Sequence, residues 1–363
     1  MSQDDRAAAA GHPSASASAG GIRLPAPRFE HLRSLTDPNG LWEHARESAP
    51  RVEHGFCTED NARALIVVSR QVSPSSDLED LAAIYLRFVL EARTGLGQFH
   101  NRRNAQGAWT DDVGSDDSQG RAWWGLGAVA RLGPAESMRR AGADAFASCA
   151  SFDSPHLRAN AYAALGAVEM LAAHPGDPAA TELLERTSGV VADAARGRIP
   201  WPETRLTYDN ARLPEALIAA GTTLGRRQLT SMGLRLLEWL VEVETIGDRF
   251  SFTSTSGWAQ GEPRPGFDQQ PLEAWAMADA CHRAWSATGD GKWRVRSLRA
   301  ARWLMGHNDT ATVLYDDATG RTSDGLMDGS ANGNHGAEST LAGIGALQTV
   351  AMHPVGADSG ATG

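Results

Sequence analysis

The sequence predicts an all-α fold, an (α/α)6 toroid in which six inner helices are surrounded by six outer helices. Long segments carry apolar residues at helical spacing. These segments come in pairs, in which a segment rich in small residues is followed by a longer, more charged one. Ala and Gly are abundant and β-branched residues are sparse, which favours closely packed helices over sheets.

The inner segments open alike, because each begins with a polar cluster and then becomes apolar. Asp, Ser, Thr and Asn in such positions cap helix N-termini, and acidic residues there complement the helix dipole. We expect inner helices to open at Thr58, Asp117, Ser154, Thr207, Asp268 and Gly336. The outer helices are expected near residues 27–36, 77–93, 134–150, 178–196, 225–244 and 290–306.

Long loops precede four of the inner helices, at residues 94–116, 198–206, 245–267 and 307–335. They are rich in Gly, Asp, Asn and Trp, and their strand signals are short, as at residues 249–253. Because such loops lead into inner N-termini, they gather at one end of the barrel, which we call the mouth. Functional residues tend to lie on loops held by a rigid scaffold.

The chain has 363 residues, of which 42% are hydrophobic, enough for a sizeable core. We expect a single catalytic domain over residues 26–352. Residues 1–25 and 353–363 are low in complexity and are expected to be disordered.

The charge pattern argues against two classes of partner. The net charge is −10 and there is no basic run, so we expect no nucleic-acid partner. No apolar run approaches the ~20 residues of a membrane helix, and the N-terminus lacks an apolar signal region. Three Cys residues at unrelated spacings indicate neither a zinc motif nor a disulfide framework. The expected location is cytoplasmic, and the oligomeric state stays open.

A tetrapeptide recurs about 150 residues apart, as Asp60-Asn61-Ala62-Arg63 and as residues 209–212. Both copies open an inner segment, so their acidic residues are expected to face the same mouth. The alternative is an ion pair between the Asp and the Arg three residues later, worth a few tenths of a kcal/mol.

Several segments resemble one known family. They are LTDPNGLWEHA (35–45), GFCTEDNARAL (55–65), GSDDSQGRAWWGLG (114–127), TYDNARLPEAL (207–217), FDQQPLEAWAMADAC (267–281), and the blocks GHNDTATVLYDDATGRTSDGL and NGNHGAESTLA within residues 306–342. The chain is similar over residues 28–352 to a bacterial family of (α/α)6 toroid domains, found alone or joined to glycosyltransferase modules. This family belongs with the six-hairpin glycosidase-like group, so the resemblance implies a carbohydrate-active protein.

Glycoside cleavage needs two carboxyl groups, and an inverting pair lies roughly 6.5–9.5 Å apart, a spacing that facing walls of a barrel mouth can supply. The candidate catalytic carboxylates are those at inner openings: Asp60, Asp209, Asp117, Asp268 and Glu338. The alternative for each is helix capping or an ion pair. We expect an inverting glycoside hydrolase that acts on an oligosaccharide or glycoside.

Substrate-binding candidates come from the same stretches. Indoles in Gly- or Pro-rich loops stack on sugar rings or anchor their own loops, and amides bind sugar hydroxyls. The candidates are Asn61, Arg63, Trp109, Arg121, Trp201, Asn210, Arg212, Trp258, Gln269, Gln270 and His335. Arg102 and Arg103 either bind an anionic group or are solvated. No cofactor and no metal are implied.

Three alternatives stay open. A sugar epimerase or isomerase would rely on the histidines near inner openings, namely His54, His100, His156 and His335. A glycoside phosphorylase of the same fold would need phosphate. A non-catalytic glycan-binding domain would bind sugar without turnover.

Overall fold

The computed structural model describes residues 24–148, 152–197 and 200–353, and these residues form helices joined by loops and short hairpins. The terminal segments expected to be disordered lie outside the described residues, apart from residues 24, 25 and 353. Helices and strands are numbered below in chain order.

Six helices form a closed inner ring, in which each contacts the next and the last contacts the first. They are α2 (Thr58–Ser69), α4 (Asp116–Leu132), α6 (Leu157–Ala173), α8 (Arg212–Thr223), α10 (Pro271–Thr288) and α12 (Ala337–Ala351). The outer helices are α1 (Glu30–Ser34), α3 (Ser76–Glu91), α5 (Glu136–Phe146), α7 (Pro178–Gly197), α9 (Arg227–Val243) and α11 (Gly291–Leu304). Each outer helix packs against an inner helix next to it in the chain, except that α1 packs against α12. The predicted (α/α)6 toroid is therefore confirmed.

The predicted inner starts agree with the structure within a few residues, and the largest difference is at Thr207. There the chain forms a turn, in which Asp209 has a φ of 51°, before α8 begins at Arg212. The two copies of the repeated tetrapeptide therefore differ in backbone, since the first lies inside α2. Positive φ at a non-glycine residue is uncommon, and Asp tolerates it better than most residues.

The strands are two-residue antiparallel pairs in the connecting loops. They are β1 (Thr36–Asp37) with β2 (Gly40–Leu41), β3 (Ala45–Arg46) with β4 (Ala49–Pro50), β5 (Phe56–Cys57) with β6 (Arg102–Arg103), β7 (Thr245–Ile246) with β8 (Arg249–Phe250), and β9 (Leu326–Met327) with β10 (Ser330–Ala331). The β5–β6 pair fixes the loop after α3 to the start of α2, at the mouth.

Small residues let the inner helices approach closely. A Cβ added at Gly127 of α4 would lie 2.1 Å from the carbonyl oxygen of Gly166 in α6, and one added at Gly120 would lie 2.3 Å from that of Ala159. Backbones can touch in this way only where side chains are absent, which explains the small-residue composition of the inner segments.

The centre of the barrel is filled rather than open. The guanidinium of Arg212 lies 4.8 Å from the ring centroid of Trp124 and 4.9 Å from that of Trp275. All three side chains are buried. These three side chains fill the barrel below the mouth, so the mouth is a depression and not a channel.

Cys57 and Cys281 are buried free thiols, and Cys149 lies outside the described residues. Among the described helices, none is long and apolar enough to cross a membrane.

Candidate functional site

Two adjoining cavities, about 240 and 430 Å³, lie at the mouth, where the inner helices begin. Glu59, Arg63 and Glu338 line both of them. A larger cavity of about 880 Å³ lies elsewhere, between the outer helices α7 and α9, and none of its lining residues lines the other two. The chemistry of the mouth, rather than cavity size, makes it the candidate site.

Carboxylates dominate the mouth. Those lining the two cavities are Glu43, Glu59, Asp60, Asp116, Asp117, Asp324 and Glu338. Five of them lie in the first turns of α2, α4 and α12. Helix N-termini favour negative charge, so the ring of inner helices supports this concentration of acids.

Glu338 stands between the two cavities. Its side chain is 34% exposed, and its Oε2 lies 2.7 Å from Nη2 of Arg63. Burial raises the pKa of the Glu338 carboxyl, Arg63 opposes that shift, and the neighbouring Asp60 adds to it. A partly exposed carboxyl with a raised pKa can hold a proton and present it to a ligand, as a general acid does.

Arg63 organises the acids around Glu338. It pairs with Asp60 through Nη1, and its Nη2 lies 3.9 Å from Glu59. Asp60 is 3% exposed and also accepts a hydrogen bond from the Cys57 thiol at 3.2 Å. Burial raises the pKa of Asp60 against the pull of Arg63. The ion pair expected as the alternative role of the first tetrapeptide is therefore present.

Asp117 lies in the first turn of α4 and lines the mouth cavity of about 430 Å³. Its Oδ2 accepts a hydrogen bond of 2.5 Å from the hydroxyl of Tyr208, which also lines that cavity. The neighbouring Asp116 accepts from Ser154 at 2.6 Å. Among the described residues Tyr208 is the hydrogen-bonding partner of the Asp117 side chain, so the other carboxylate oxygen is available to a ligand or water.

The floor of the mouth is a buried polar network. Asp209 is fully buried and accepts from Tyr162 at 2.7 Å and from Arg121 at 3.2 Å. Burial opposes ionisation of Asp209, but the Arg212 and Arg121 guanidiniums lower its pKa below the usual range. The second tetrapeptide thus places its carboxylate beneath the cavity surface, although the sequence predicted that both would face the mouth.

The predicted amides divide between structural and accessible positions. Asn61 accepts from the backbone N–H of Leu41, and Asn210 accepts from that of Thr207. Both are fully buried, as is Gln269. Gln270 lines the smaller cavity. Gln269 accepts from the backbone N–H of Phe252, so three of the four predicted amides brace loops.

Other predicted residues lie away from the two cavities. Asp268 is exposed. Trp109 stacks on His100, and Trp201 stacks on Trp239 beside a separate cavity of about 370 Å³ that Trp258 also lines. The Trp-bearing loops fold over their own hairpins and neighbouring helices, and sequence reasoning could not anticipate that direction.

The histidines fall into two groups. His54 lies on a short 3-10 turn, His100 bonds to the carbonyl of Asp111, and His335 bonds to that of Glu47. None of these three lines the two cavities. His156 does, and so does His44, which the sequence analysis did not single out. Within the described inner helices the histidine is His282, which stacks on His353 well away from the mouth.

Glu59, Glu43, Asp324 and Tyr208 are also mouth residues that the sequence analysis missed. For Glu59 a signal existed, because it directly precedes Asp60 in the first turn of α2. Its Oε1 accepts from Ser115 at 3.1 Å and from Asn101 at 3.3 Å, which fixes it at the junction of the two cavities.

One cluster has metal-ligand spacing. Glu43, Cys57 and Asp60 place one potential ligand atom each within 4.8 Å of one another. Arg102 already pairs with Glu43 and Arg63 with Asp60. Burial raises the pKa of the Cys57 thiol, so it stays protonated and donates to Asp60. These contacts account for the cluster without a metal ion.

No protein-family model matches the chain, and no curated protein matches it in sequence. Solved structures do match its fold. A sugar epimerase from a ruminal bacterium superposes with a TM-score of 0.68 at 11% identity, covering 90% of this chain and 96% of that one. The cellobiose 2-epimerase of Spirochaeta thermophila gives 0.64 at 12% identity, covering 90% and 94%.

An α-mannanase from Bacteroides thetaiotaomicron gives a TM-score of 0.63 at 10% identity, covering 89% of this chain and 93% of that one. At such low identity these likenesses concern the fold and do not transfer an activity. The chain therefore has the (α/α)6 toroid fold that these epimerase and mannanase structures share.

Proposed function

We propose that the protein is a carbohydrate-active enzyme, a glycoside hydrolase that inverts the anomeric centre with Glu338 as general acid and Asp117 as general base. The observation that carries the proposal is the state of Glu338, a partly exposed carboxyl with a raised pKa in a cavity that also holds Asp117. Two carboxyl groups with different environments are what acid and base roles require.

In this reaction the glycoside lies in the mouth between α4 and α12. Glu338 gives its proton to the glycosidic oxygen as the bond to the anomeric carbon breaks. Asp117 takes a proton from a water molecule that attacks the opposite face of the sugar. The Tyr208 hydroxyl holds one oxygen of Asp117 and leaves the other for the water. Asp117 then releases its proton to solvent and Glu338 takes one up from solvent, which restores both groups.

The other carboxylates suit these roles less well. Glu59 accepts from Ser115 and Asn101 through Oε1, and its Oε2 lies 3.9 Å from Arg63 and 3.7 Å from Arg121, so we assign it as a counterion of these two guanidiniums. Asp60 is ion-paired and buried, Asp209 is fully buried beneath the cavity surface, and Asp268 lies outside the two cavities. We assign Asp60 and Asp209 to positioning Arg63 and Arg121.

An epimerase is the second candidate, since sugar epimerases share this fold and two histidines line the mouth. His44 and His156 lie in different cavities, however, and both are exposed. Proton transfer to and from one sugar carbon needs both groups within hydrogen-bond reach of it. The carboxylate pair therefore supports hydrolysis better.

The test is incubation of the purified protein with α- and β-linked oligosaccharides and aryl glycosides, with and without phosphate, followed by proton NMR of the first-formed sugar. Release of the inverted anomer is the expected result. Release of the retained anomer would move the base role to a nucleophile, and a phosphate requirement would indicate a phosphorylase. Interconversion of free sugars, or binding without turnover, would overturn the hydrolase.

A further inference from the structure

The charges at the mouth are unbalanced. Of the described residues that line its two cavities, seven carry carboxylates, three carry guanidiniums and two carry imidazoles. With Glu338 protonated as the general acid, six carboxylates remain against three guanidiniums, a surplus of three. A cavity lined by an excess of one sign concentrates that potential and repels ligands of the same sign.

The three guanidiniums are already engaged. The pairs are Arg63 with Asp60, Arg102 with Glu43, and Arg121 with Asp209. Two of these arginines, Arg63 and Arg121, are also almost fully buried. An incoming anion would have to displace one of the protein's own carboxylates to gain a cation.

The helix N-termini at the mouth also have the protein's own acidic or capping side chains beside them. Helix N-termini bind anions through free backbone N–H groups and the helix dipole. Here the first turns of α2, α4 and α12 carry their own acids, and Ser115 caps α4 by accepting from the N–H of Ser118 at 3.2 Å. Side chains therefore cap α2 and α4, and at α12, which has no side-chain cap, the acidic Glu338 stands in the first turn.

We propose that the mouth selects uncharged sugars and protonated amino sugars, and that it excludes uronic acids, phosphorylated sugars and inorganic phosphate. This inference rests on the proposed function and adds the charge class of its substrate. It also separates hydrolysis from phosphorolysis, because phosphorolysis requires a phosphate ion beside the anomeric carbon. Water, being uncharged, is the acceptor that this cavity admits.

The experiment uses one sugar configuration that the enzyme hydrolyses, presented as three aryl glycosides: the neutral hexoside, the 2-amino-2-deoxyhexoside and the hexuronide. The hexuronide methyl ester is the matched control, since it has nearly the same shape without the charge. We expect kcat/KM for the hexuronide at least about tenfold below that of its ester, or about 1.4 kcal/mol. A hexuronide as good as its ester, or acceleration by phosphate, would overturn the proposal.

A protein variant tests the charge argument by changing the charge of the mouth instead of the charge of the substrate. Glu43→Gln removes the partner of Arg102, whose side chain is 49% exposed, and so creates an available cation. The ratio of hexuronide to ester turnover is expected to rise several-fold. Glu182→Gln, on the exposed surface of α7, is the control and should leave the ratio unchanged. An unchanged ratio in Glu43→Gln would contradict the charge argument.

If the protein does not hydrolyse glycosides, a binding experiment still tests the charge preference of the mouth. If no glycoside is cleaved, saturation-transfer NMR with the free uronic acids and their methyl esters still measures the charge preference. Contact with the esters alone would support the inference without hydrolysis. Stronger contact with the uronic acids, or contact with neither, would overturn it.

Discussion

At the scale of a single residue, the proposed reaction depends on Glu338 as the general acid. Replacing it with Gln keeps the shape and removes the proton donor, so we expect kcat to fall by about 10²–10⁴-fold. Because the acid must be protonated and burial raises its pKa, the wild-type rate should decline as pH rises through that raised pKa. The pH profile of kcat in the two proteins, with an aryl glycoside as substrate, measures both effects.

Asp268→Asn is the matched control for that substitution. Asp268 is a carboxylate at an inner opening, as Glu338 is, but it is exposed and lies off the two cavities. Its variant should keep kcat within about twofold of the wild type. If Asp268→Asn lost activity and Glu338→Gln kept it, the assignment of the acid would be wrong.

Arg212 gives the second residue-scale prediction. It pairs with Asp209, Glu215 and Asp279 inside the barrel. Arg212→Met would leave buried carboxylates without their cation, and we expect the free energy of unfolding to fall by about 3–5 kcal/mol. Urea denaturation measures it. Arg196→Gln removes an exposed ion pair with Asp193 and should change stability by less than about 1 kcal/mol.

The sequence predicted the position of some mouth residues and missed others. It placed Asp117 and Glu338 at the mouth, because both lie in first turns that capping signals mark. It could not separate them from Asp209, which a positive-φ turn directs beneath the floor. It also missed Glu43 and Asp324, which reach the mouth through loop contacts distant in the chain, such as the bond from the N–H of Gly336 to Asp324.

At the scale of elements, local signals were sufficient for the helices and insufficient for the loops. Caps and apolar periodicity depend on neighbouring residues, so the start of α2 at Thr58 was predicted to the residue. The direction of the loop bearing Trp201 depends on its stacking against Trp239 of α9, a contact that no local pattern encodes. The indoles predicted to stack on sugar rings therefore do not line the two cavities.

Close inner-helix packing gives the element-scale prediction. Gly127→Ala would force a Cβ against the backbone of Gly166, and we expect it to destabilise the fold by about 1–3 kcal/mol. Gly189→Ala in α7 meets no atom within 4 Å and should be neutral or stabilising by about 0.5–1 kcal/mol. Equal unfolding midpoints for the two variants in urea would contradict this packing argument.

At the scale of the whole molecule, ring closure brings the acids together. α2 and α12 are separated by most of the chain, yet they are neighbours, and Arg63 meets Glu338 between them. The sequence predicted the ring from counting paired segments and so placed both residues at one end. Which acids then share a cavity depends on the tilt and depth of each helix, which only packing decides.

The buried acids of this ring make stability depend on pH in two opposite ways. Despite burial, Arg70 and Arg212 lower the pKa of Asp279 to about 2 from an ordinary 3.8, so its contribution is lost as pH falls below about 4. Burial raises the pKa values of Glu273 and Glu338 above the ordinary 4.5, so the folded state gains stability as pH falls from neutral towards that value.

We therefore expect the free energy of unfolding to be greatest in mildly acidic solution, near pH 5, and smaller at both pH 3 and pH 8. Urea denaturation across that range measures it. Glu273→Gln removes a carboxyl whose pKa burial raises well above its ordinary value, so its stability should change less between pH 8 and pH 5 than that of the wild type. A wild-type stability that rises steadily from pH 5 to pH 8 would show that these acids are ionised at no cost. Glu338 would then be ionised at neutral pH and could not act as the general acid.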